Sequence, residues 1–197
     1  MLKIILASNN AHKLKEIKDI LKDYPIEIVT PRDEGIIIPE VEENGNTYKD
    51  NALIKARSIA SLTNLPVFAD DSGLEIKAMD NKPGIYSARY AESFGGHQKA
   101  FIEIWNNIKD KDKSARFVCH LALLNIKDEP LFFEGEVKGE ISLKQSGNSG
   151  FGYDPIFIPE GYEKSFGELN EDIKNHISHR ANALRNMIQY LLHENLI

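Results

Sequence analysis

The stretch VFADDSGLEI, residues 67–76, constrains the fold of this chain more than any other segment. An apolar run typical of a buried strand ends at Ala69, and two adjacent aspartates follow it. Aspartate is disfavoured in strands, and a buried carboxylate is costly unless something pairs with it. We therefore predict a turn over DDSG, with Asp70 and Asp71 at the mouth of a strand. Because adjacent strand residues point to opposite faces, the two carboxylates are expected to do different jobs.

Short apolar runs alternate with helical patterns along the rest of the chain. Strands are predicted at 2–7, 26–29, 66–69, 74–79, 115–124 and 131–142, and helices from about Asn10, from Thr47, over 97–109 and after Ser178. The elements mix without a strict βαβ rhythm, which predicts an α/β protein with a central mixed β-sheet and flanking helices. No linker separates independent domains, so residues 1–197 are expected to form a single α/β domain.

Composition excludes several classes of protein. No apolar run is long enough to cross a membrane, and the first residues lack the pattern of a signal peptide. The single cysteine, Cys119, fits a small buried hydrophobe in a reducing compartment. A net charge of −6 disfavours binding to nucleic-acid polymers, which needs basic stripes. A small phosphorylated ligand held by a few local cations is still compatible with that charge.

Two predicted helices begin with cations, although acidic residues are usual there because of the helix dipole. Lys13 falls in the first turn after the capping residues 8–10, and His179 and Arg180 follow Ser178. A bound anion would reverse the sign of this electrostatic penalty, since helix N-termini bind anions readily. The alternatives are a solvated lysine, a structural imidazole and a surface ion pair.

The segment SGNSGFGYDP, residues 146–155, is dense in glycine but matches no established phosphate loop. It lacks the spacing of a P-loop and the strand–turn–helix context of a dinucleotide site. Its glycines would allow a ligand close to the backbone, and Phe151 or Tyr153 would be able to stack on a flat ring. A tight turn with core aromatics is the competing interpretation.

Carboxylates supply the candidate metal ligands. A carboxylate that faces phosphates needs Mg²⁺, which prefers oxygen ligands, and Glu40, Glu42 and Glu43 are available besides Asp71. A solvated acidic loop is the default interpretation of each glutamate. No His/Cys cluster has zinc spacing and no Gly-x-Ser-x-Gly elbow is present, so Ser72 is not expected to be a nucleophile.

Six segments, in order, resemble those of the inosine triphosphate pyrophosphatase family. They are ASNNAHKLKEI, NTYKDNALIKA, ADDSGLEI, PGIYSARYA, GFGYDPIFIP and ISHRANAL, and they run nearly from end to end of the chain. Any one of them is a weak signal, whereas six in sequence are highly specific. Ser8, Asn10 and Lys13 satisfy the N-terminal Thr/Ser-x-Asn-x-x-Lys pattern of that family.

The resemblance implies a fold, a reaction and a setting. The fold has two lobes with the active-site cleft between them. In the reaction, water attacks the α-phosphorus of ITP, dITP or XTP and gives the nucleoside monophosphate and pyrophosphate. Deaminated purines are thereby removed from the nucleotide pool. The resemblance further implies Mg²⁺ as cofactor, a homodimer and a cytoplasmic location.

The resemblance also assigns roles to individual residues. Asp71 would accept the proton and bind the metal with Asp70 beside it, and Glu43 or else Glu42 would share the metal. The triphosphate would be held by Ser8, Asn9, Asn10, Lys13 and Lys55, with Lys13 also stabilising the transition state. Ser72 would contact the substrate. The nucleoside pocket would be formed by Phe151, Gly152, Tyr153, Asp154, Lys174, His179 and Arg180.

A donor such as Arg180 near the base would favour the oxygen at C6 of hypoxanthine and xanthine over the amino group of adenine. Guanine shares that oxygen, so rejection of GTP must depend on its 2-amino group. Two alternatives stay open. One is a related pyrophosphatase that acts on pyrimidine or modified nucleotides, and the other is a nucleotide-binding sensor without turnover.

Overall fold

The computed structural model describes residues 1–39 and 41–197, which form two compact units. Unit 1 comprises Met1–Asp71, Cys119–Gly135 and Arg180–Ile197, and unit 2 comprises Ser72–Val118 and Glu136–His179. The interpretation of residues 1–197 as one inseparable domain stays a prediction. Within the described ranges, no helix is at once long enough and apolar enough to cross a bilayer.

Strands and helices mix along the chain, which confirms the predicted α/β class. The strands are β1 (Leu2–Leu6), β2 (Ile26–Val29), β3 (Val67–Ile76), β4 (Lys82–Pro83), β5 (Ser114–Leu124), β6 (Leu131–Ile141) and β7 (Phe157–Pro159). The α-helices are α1 (Ala11–Leu21), α2 (Tyr48–Ala60), α3 (Ser87–Ser93), α4 (His97–Ile108), α5 (Glu171–Ile177) and α6 (His179–His193). Short 3-10 helices occupy Pro31–Glu34, Lys77–Met79, Gly84–Tyr86 and Asp154–Ile156.

The sheet is mixed, as predicted, with the strand order β2-β1-β3-β5-β6-β7 and β4 paired to β3. In unit 1, β1 is parallel to both neighbours, with Ile5 opposite Val29 of β2 and opposite Val67 of β3. In unit 2, β4 is antiparallel to β3 and β7 is antiparallel to β6. In open sheets, ligands bind beyond the carboxyl ends of parallel strands. The segments that follow β1 and β2 therefore lie at the edge of the sheet where ligand binding is expected.

The predicted turn over DDSG is wrong, because β3 continues without interruption from Val67 to Ile76. Asp70 and Asp71 consequently lie within the strand, and they are only 2% and 6% exposed. Gly73 permits this path, since a Cβ atom there would collide with the carbonyl oxygen of Gly84. The strand predicted beyond Ile76 is also wrong, because a 3-10 helix follows at once.

Alternation along β1 divides the apolar core of unit 1. Ile4 and Leu6 pack with side chains of α1 and α6, whereas Ile5 packs with side chains of α2. Cys119 is buried on the α1 and α6 side, where burial raises the pKa of its thiol to about 12. This agrees with its interpretation as a small buried hydrophobe. The sheet of unit 1 therefore carries helices on both faces.

Unit 2 has a core of its own, rich in aromatic side chains. Phe117 of β5 packs against Phe157 of β7, with ring centroids 4.7 Å apart, and both contact Phe166. Helix α4 adds Phe101 and Ile104 among its buried side chains. This core supports the glycine-dense segment that follows β6.

Candidate active site

Asp70 lies on the face of β3 that is turned toward α1 and α6. Lys13 Nζ of α1 approaches its carboxylate to 3.0 Å, and Arg180 of α6 donates to it from Nη2 at 3.0 Å and from Nε at 3.2 Å. Burial opposes ionisation of Asp70, but the two cations outweigh burial and hold its pKa well below the usual range. Asp70 therefore stays ionised and forms ion pairs with both Lys13 and Arg180.

Glu16 extends this network, and sequence reasoning missed it. Its Oε2 accepts a hydrogen bond from Arg180 Nη1 at 3.0 Å, so the guanidinium is bound by a carboxylate on each side. Burial disfavours the charged form of Arg180, yet Glu16 and Asp70 together raise its pKa. The available signal was spacing, because Glu16 lies three residues after Lys13, on the same face of α1.

Asp71 lies on the opposite face of β3, toward α2, as the alternation predicts. Lys55 Nζ donates to Asp71 Oδ1 at 2.8 Å and to Glu43 Oε2 at 3.0 Å. Burial raises the pKa of Asp71 to about 6, although the Lys55 ammonium opposes the shift. Glu43 adds to the increase because its negative charge lies nearby. Burial therefore brings the pKa of Asp71 closer to neutrality than that of a solvated aspartate.

Asn51 is a second residue that sequence reasoning missed. It is fully buried on α2, one turn before Lys55, and its Oδ1 accepts a hydrogen bond from Gly45 N at 2.8 Å. Its Nδ2 lies 3.5 Å from Asp71 Oδ2. A Cβ at Gly45 would crowd Asp50 and Asn51, so glycine allows the acidic segment to lie against the start of α2. Asn51 thereby connects that segment to the catalytic carboxylate proposed below.

Residues Ser8–Asn10 connect β1 to α1 beyond the carboxyl end of β1. Of the three predicted capping residues, Asn10 is the N-cap, since its Oδ1 accepts hydrogen bonds from His12 N at 2.9 Å and Lys13 N at 3.2 Å. Ser8 Oγ accepts a hydrogen bond from Asn10 N at 3.2 Å, and Asn9 is exposed. The cation that follows, Lys13, is compensated by Asp70 in this structure.

Three of the residues predicted for the nucleoside pocket contact one another in unit 2. Lys174 of α5 forms a buried ion pair of 2.7 Å with Asp154 Oδ2, which also accepts a hydrogen bond from Phe151 N at 2.8 Å. The Lys174 ammonium lies 4.7 Å from the centre of the Phe151 ring. Phe151 is half-buried, so part of its aromatic ring is exposed close to the Lys174 ammonium.

Gly152 and Tyr153 complete that segment. Gly152 has a positive φ of 64°, a conformation that favours glycine. Tyr153 is buried and donates a hydrogen bond from its hydroxyl to Ser87 O at 2.7 Å. Its ring meets His97 edge-on, with centroids 5.0 Å apart. Tyr153 thus acts as an anchor for the segment, which fits the competing interpretation of a core aromatic.

The remaining predicted residues are placed as follows. His179 is buried in unit 2, with its ring stacked 4.8 Å from that of Phe117. Ser72 is half-buried in β3 and belongs to unit 2. Glu42 is exposed, whereas Glu40 lies outside the described residues.

The chemistry of the donor set fits a hard divalent cation. Asp71 and Glu43 both reach the single ammonium of Lys55, so their carboxylates converge within unit 1. Among residues 1–39 and 41–197, no group of three or more His, Cys, Asp or Glu side chains could hold a metal. Two carboxylates match Mg²⁺, which is commonly bound by one or two carboxylates together with substrate phosphates and water.

Comparison with known proteins identifies the family. A dITP/XTP pyrophosphatase of Clostridium perfringens is 44% identical over 196 residues, which cover 95% of this chain and 96% of that protein. A dITP/XTP pyrophosphatase of Oceanobacillus iheyensis is 43% identical over 97% of this chain and 98% of that protein. These relatives confirm the resemblance inferred from the six motifs.

A solved structure of similar fold is that of a HAM1 protein from Coxiella burnetii. It superposes with a TM-score of 0.86 at 38% identity, covering 98% of this chain and all of that chain. The sequence pattern of the Ham1 family matches residues 4–190. On this match, together with the relatives above, the chain belongs to the Ham1 family.

Proposed function

We propose that this protein hydrolyses non-canonical purine nucleoside triphosphates, namely ITP, dITP and XTP, to the nucleoside monophosphate and pyrophosphate. It would thereby remove deaminated purines from the nucleotide pool. Relatives more than 40% identical over nearly their whole length are dITP/XTP pyrophosphatases. The observation that carries the proposal is the buried carboxylate of Asp71, whose pKa of about 6 suits a general base near neutral pH.

In the proposed mechanism, Asp71 accepts a proton from the water that attacks the α-phosphorus. Lys55 donates to Asp71 at 2.8 Å and orients its carboxylate. As the pentacoordinate transition state gains negative charge on its oxygens, Lys13 and Lys55 stabilise that charge in a largely buried environment. Asp70 is not a second base, because two cations keep it ionised and bonded. It positions Lys13 instead.

Asp71 and Glu43 are the residues that would hold Mg²⁺. When bound, the cation would neutralise phosphate charge and favour attack at the α-phosphorus. Glu43 is preferred over Glu42 because Glu43 contacts Lys55 at 3.0 Å whereas Glu42 is exposed. Ser8, Asn9 and Asn10 would supply hydrogen-bond donors to the triphosphate beyond the carboxyl end of β1.

For the nucleoside, the proposal uses the residues of unit 2. A purine would stack on the half-buried ring of Phe151, and Lys174 would donate to an oxygen on the base. Asp154 holds the Lys174 ammonium at 2.7 Å and so fixes its direction. Gly152, Tyr153 and Ser72 would shape the surrounding pocket. His179 and Arg180 stay predicted contacts to the base; in this structure Arg180 is engaged by two carboxylates.

Assembly and location are proposals of the same kind. We propose a homodimer in the cytoplasm, on the basis of the family resemblance. Light scattering coupled to size exclusion tests the first, since a monomer of 22.3 kDa and a dimer differ twofold in mass.

The decisive experiment is product analysis with ITP, XTP, dITP, GTP and ATP in parallel, with and without Mg²⁺, separating pyrophosphate from orthophosphate. We expect metal-dependent release of pyrophosphate and monophosphate from the first three substrates, with GTP and ATP nearly untouched. Orthophosphate as the product would overturn the assigned reaction, and equal turnover of all five would overturn the specificity. If none of the five is turned over, hydrolysis of pyrimidine triphosphates in a second assay would support the pyrimidine alternative. Nucleotide binding without any turnover would support a sensor.

A further inference from the structure

A cavity of about 620 Å³ opens in unit 1 beside the segment that follows β1. Its lining includes Ser8, Asn9 and Asn10, together with Arg32 and Ile36–Ile38. The first three are the residues proposed to hold the triphosphate, but Arg32 matches none of the six family segments. The cavity therefore brings an unassigned cation to the phosphate-binding segment.

The order of the strands in unit 1 indicates how a bound triphosphate would reach this cavity. In unit 1, β1 lies between β3 and β2, and it is parallel to both. Asp71 lies on β3, Ser8–Asn10 follow β1, and Arg32 follows β2. Neighbouring strands are about 4.8 Å apart. A triphosphate with its α-phosphorus at Asp71 that crosses the end of β1 consequently extends toward the end of β2 and the cavity.

The turn that carries Arg32 is well defined. It is a 3-10 helix capped by Thr30, whose backbone N–H donates to Asp33 Oδ2 at 2.8 Å, and it ends at Gly35 with a φ of 70°. The carboxylate of Asp33 is thereby committed to Thr30. Across the described part of the chain, no carboxylate forms an ion pair with Arg32, whose side chain is exposed.

We propose that Arg32 binds the terminal phosphate of the substrate in this cavity and so selects nucleoside triphosphates over diphosphates. The inference rests on the proposed function and adds a specificity-determining residue to it. A guanidinium is well suited to this contact because its planar fork donates two hydrogen bonds to phosphate oxygens. After hydrolysis, the same contact retains pyrophosphate, so Arg32 also strengthens inhibition by that product.

The test compares Arg32→Gln with the wild-type protein on ITP and IDP, with inhibition by pyrophosphate and by IMP as a second measurement. We expect kcat/KM for ITP to fall about tenfold, which is typical of one charge-assisted hydrogen bond, while kcat/KM for IDP stays within about twofold. The inhibition constant of pyrophosphate should rise by a similar factor, and that of IMP should not change. Arg32→Lys should recover part of the loss, because it restores the charge without the fork.

Arg57→Gln is the matched control, since Arg57 is exposed on α2 in the same unit and outside the cavity. It should leave all four constants unchanged. If Arg32→Gln behaves like this control, or lowers the values for ITP and IDP equally, the inference is wrong while the proposed function stands. If the wild-type protein does not hydrolyse ITP, the proposed function fails and the role of Arg32 fails with it.

Discussion

Lys55 Nζ on α2 donates a hydrogen bond of 2.8 Å to Asp71 Oδ1 on β3. The same ammonium lies 3.0 Å from Glu43, so one cation holds two carboxylates of unit 1 in place. Burial still dominates at Asp71, whose pKa is raised to about 6 despite that cation. A carboxyl group in this setting is a stronger base than a solvated aspartate, and it is still mostly ionised at neutral pH.

The first prediction concerns Asp71 as the base. Asp71→Asn should lower kcat for ITP by roughly 10²- to 10⁴-fold, because an amide cannot accept the proton of the attacking water. The fold should persist, since the amide replaces the carboxylate with little change in shape. Steady-state kinetics with circular dichroism on the same sample measure both. Asp50→Asn, at an exposed position on α2, serves as the control and should retain full activity.

The second prediction is the titration of that carboxyl group. In metal-free protein, carbon NMR of labelled aspartate should show one group, absent from Asp71→Asn, that titrates near pH 6. Lys55→Met should move its pKa upward, because the ammonium favours the ionised form. Glu43→Gln should move it downward, since a neighbouring negative charge is removed. A value near that of a solvated aspartate, about 3.9, would contradict the assignment.

The sign of the accompanying stability change follows by linkage. A carboxyl group whose folded pKa lies above its unfolded value binds protons more tightly in the native state. Wild-type protein should therefore lose stability relative to Asp71→Asn as pH rises from about 4 through 6, and the difference should level off above that range. Chemical denaturation at pH 5 and pH 8 measures this difference; an unchanged gap between the two proteins would argue against it.

The third prediction concerns the buried cation on α6. Arg180 is 1% exposed and holds Asp70 and Glu16 at 3.0 Å each. Arg180→Met should reduce the free energy of unfolding by about 3–5 kcal/mol, because it leaves buried carboxylates without their partner. Arg185→Met, at an exposed site on the same helix, should cost less than about 1 kcal/mol. Similar losses in the two variants would show that the buried network is not stabilising.

Asp70 also gives this network a pH signature of the opposite sign to that of Asp71. Its folded pKa lies below the unfolded value, so its contribution to stability is fully present above about pH 4. The contribution is lost as pH falls from there toward the folded pKa. Asp70→Asn should lack this loss, and acid denaturation curves of the two proteins should therefore converge at low pH.

The pattern of the sequence predicted the faces of the sheet better than the path of the strand. Alternation correctly separated Asp70 from Asp71, because the period of a strand is two wherever it occurs. The break after Ala69 was wrong, because cations compensate the buried carboxylates and so offset the low strand propensity of aspartate. Asp70 is compensated by Arg180, which lies 110 residues away in sequence. No local pattern contains that information.

The residues of the candidate site also fall into two groups, those that local sequence patterns predict and those that depend on tertiary packing. An N-cap within residues 8–10 was predictable because a cap acts on the next three residues, and the structure shows that it is Asn10. Glu16 was within reach of local reasoning, since it shares a helix face with Lys13. The pairing of Lys55 with Asp71 was not predictable from local patterns. It depends on α2 packing against β3 in the folded protein, and the two elements are separate segments of the chain. Arg32 resembles any solvated arginine until strand order places it at the edge where β1 and β2 end.

The fourth prediction separates the nucleoside contact from the phosphate contacts. Phe151→Ala should raise KM for ITP by about 10- to 100-fold, because stacking of a base on an aromatic ring contributes about 1–3 kcal/mol. Inhibition by pyrophosphate, which has no base, should stay unchanged. Phe94→Ala is the control, since Phe94 is likewise a partly exposed aromatic residue of unit 2 but lies outside the glycine-dense segment. Equal weakening of ITP and pyrophosphate by Phe151→Ala would place the ring near the phosphates, or indicate a general loss of structure, and would refute its role as the platform for the base.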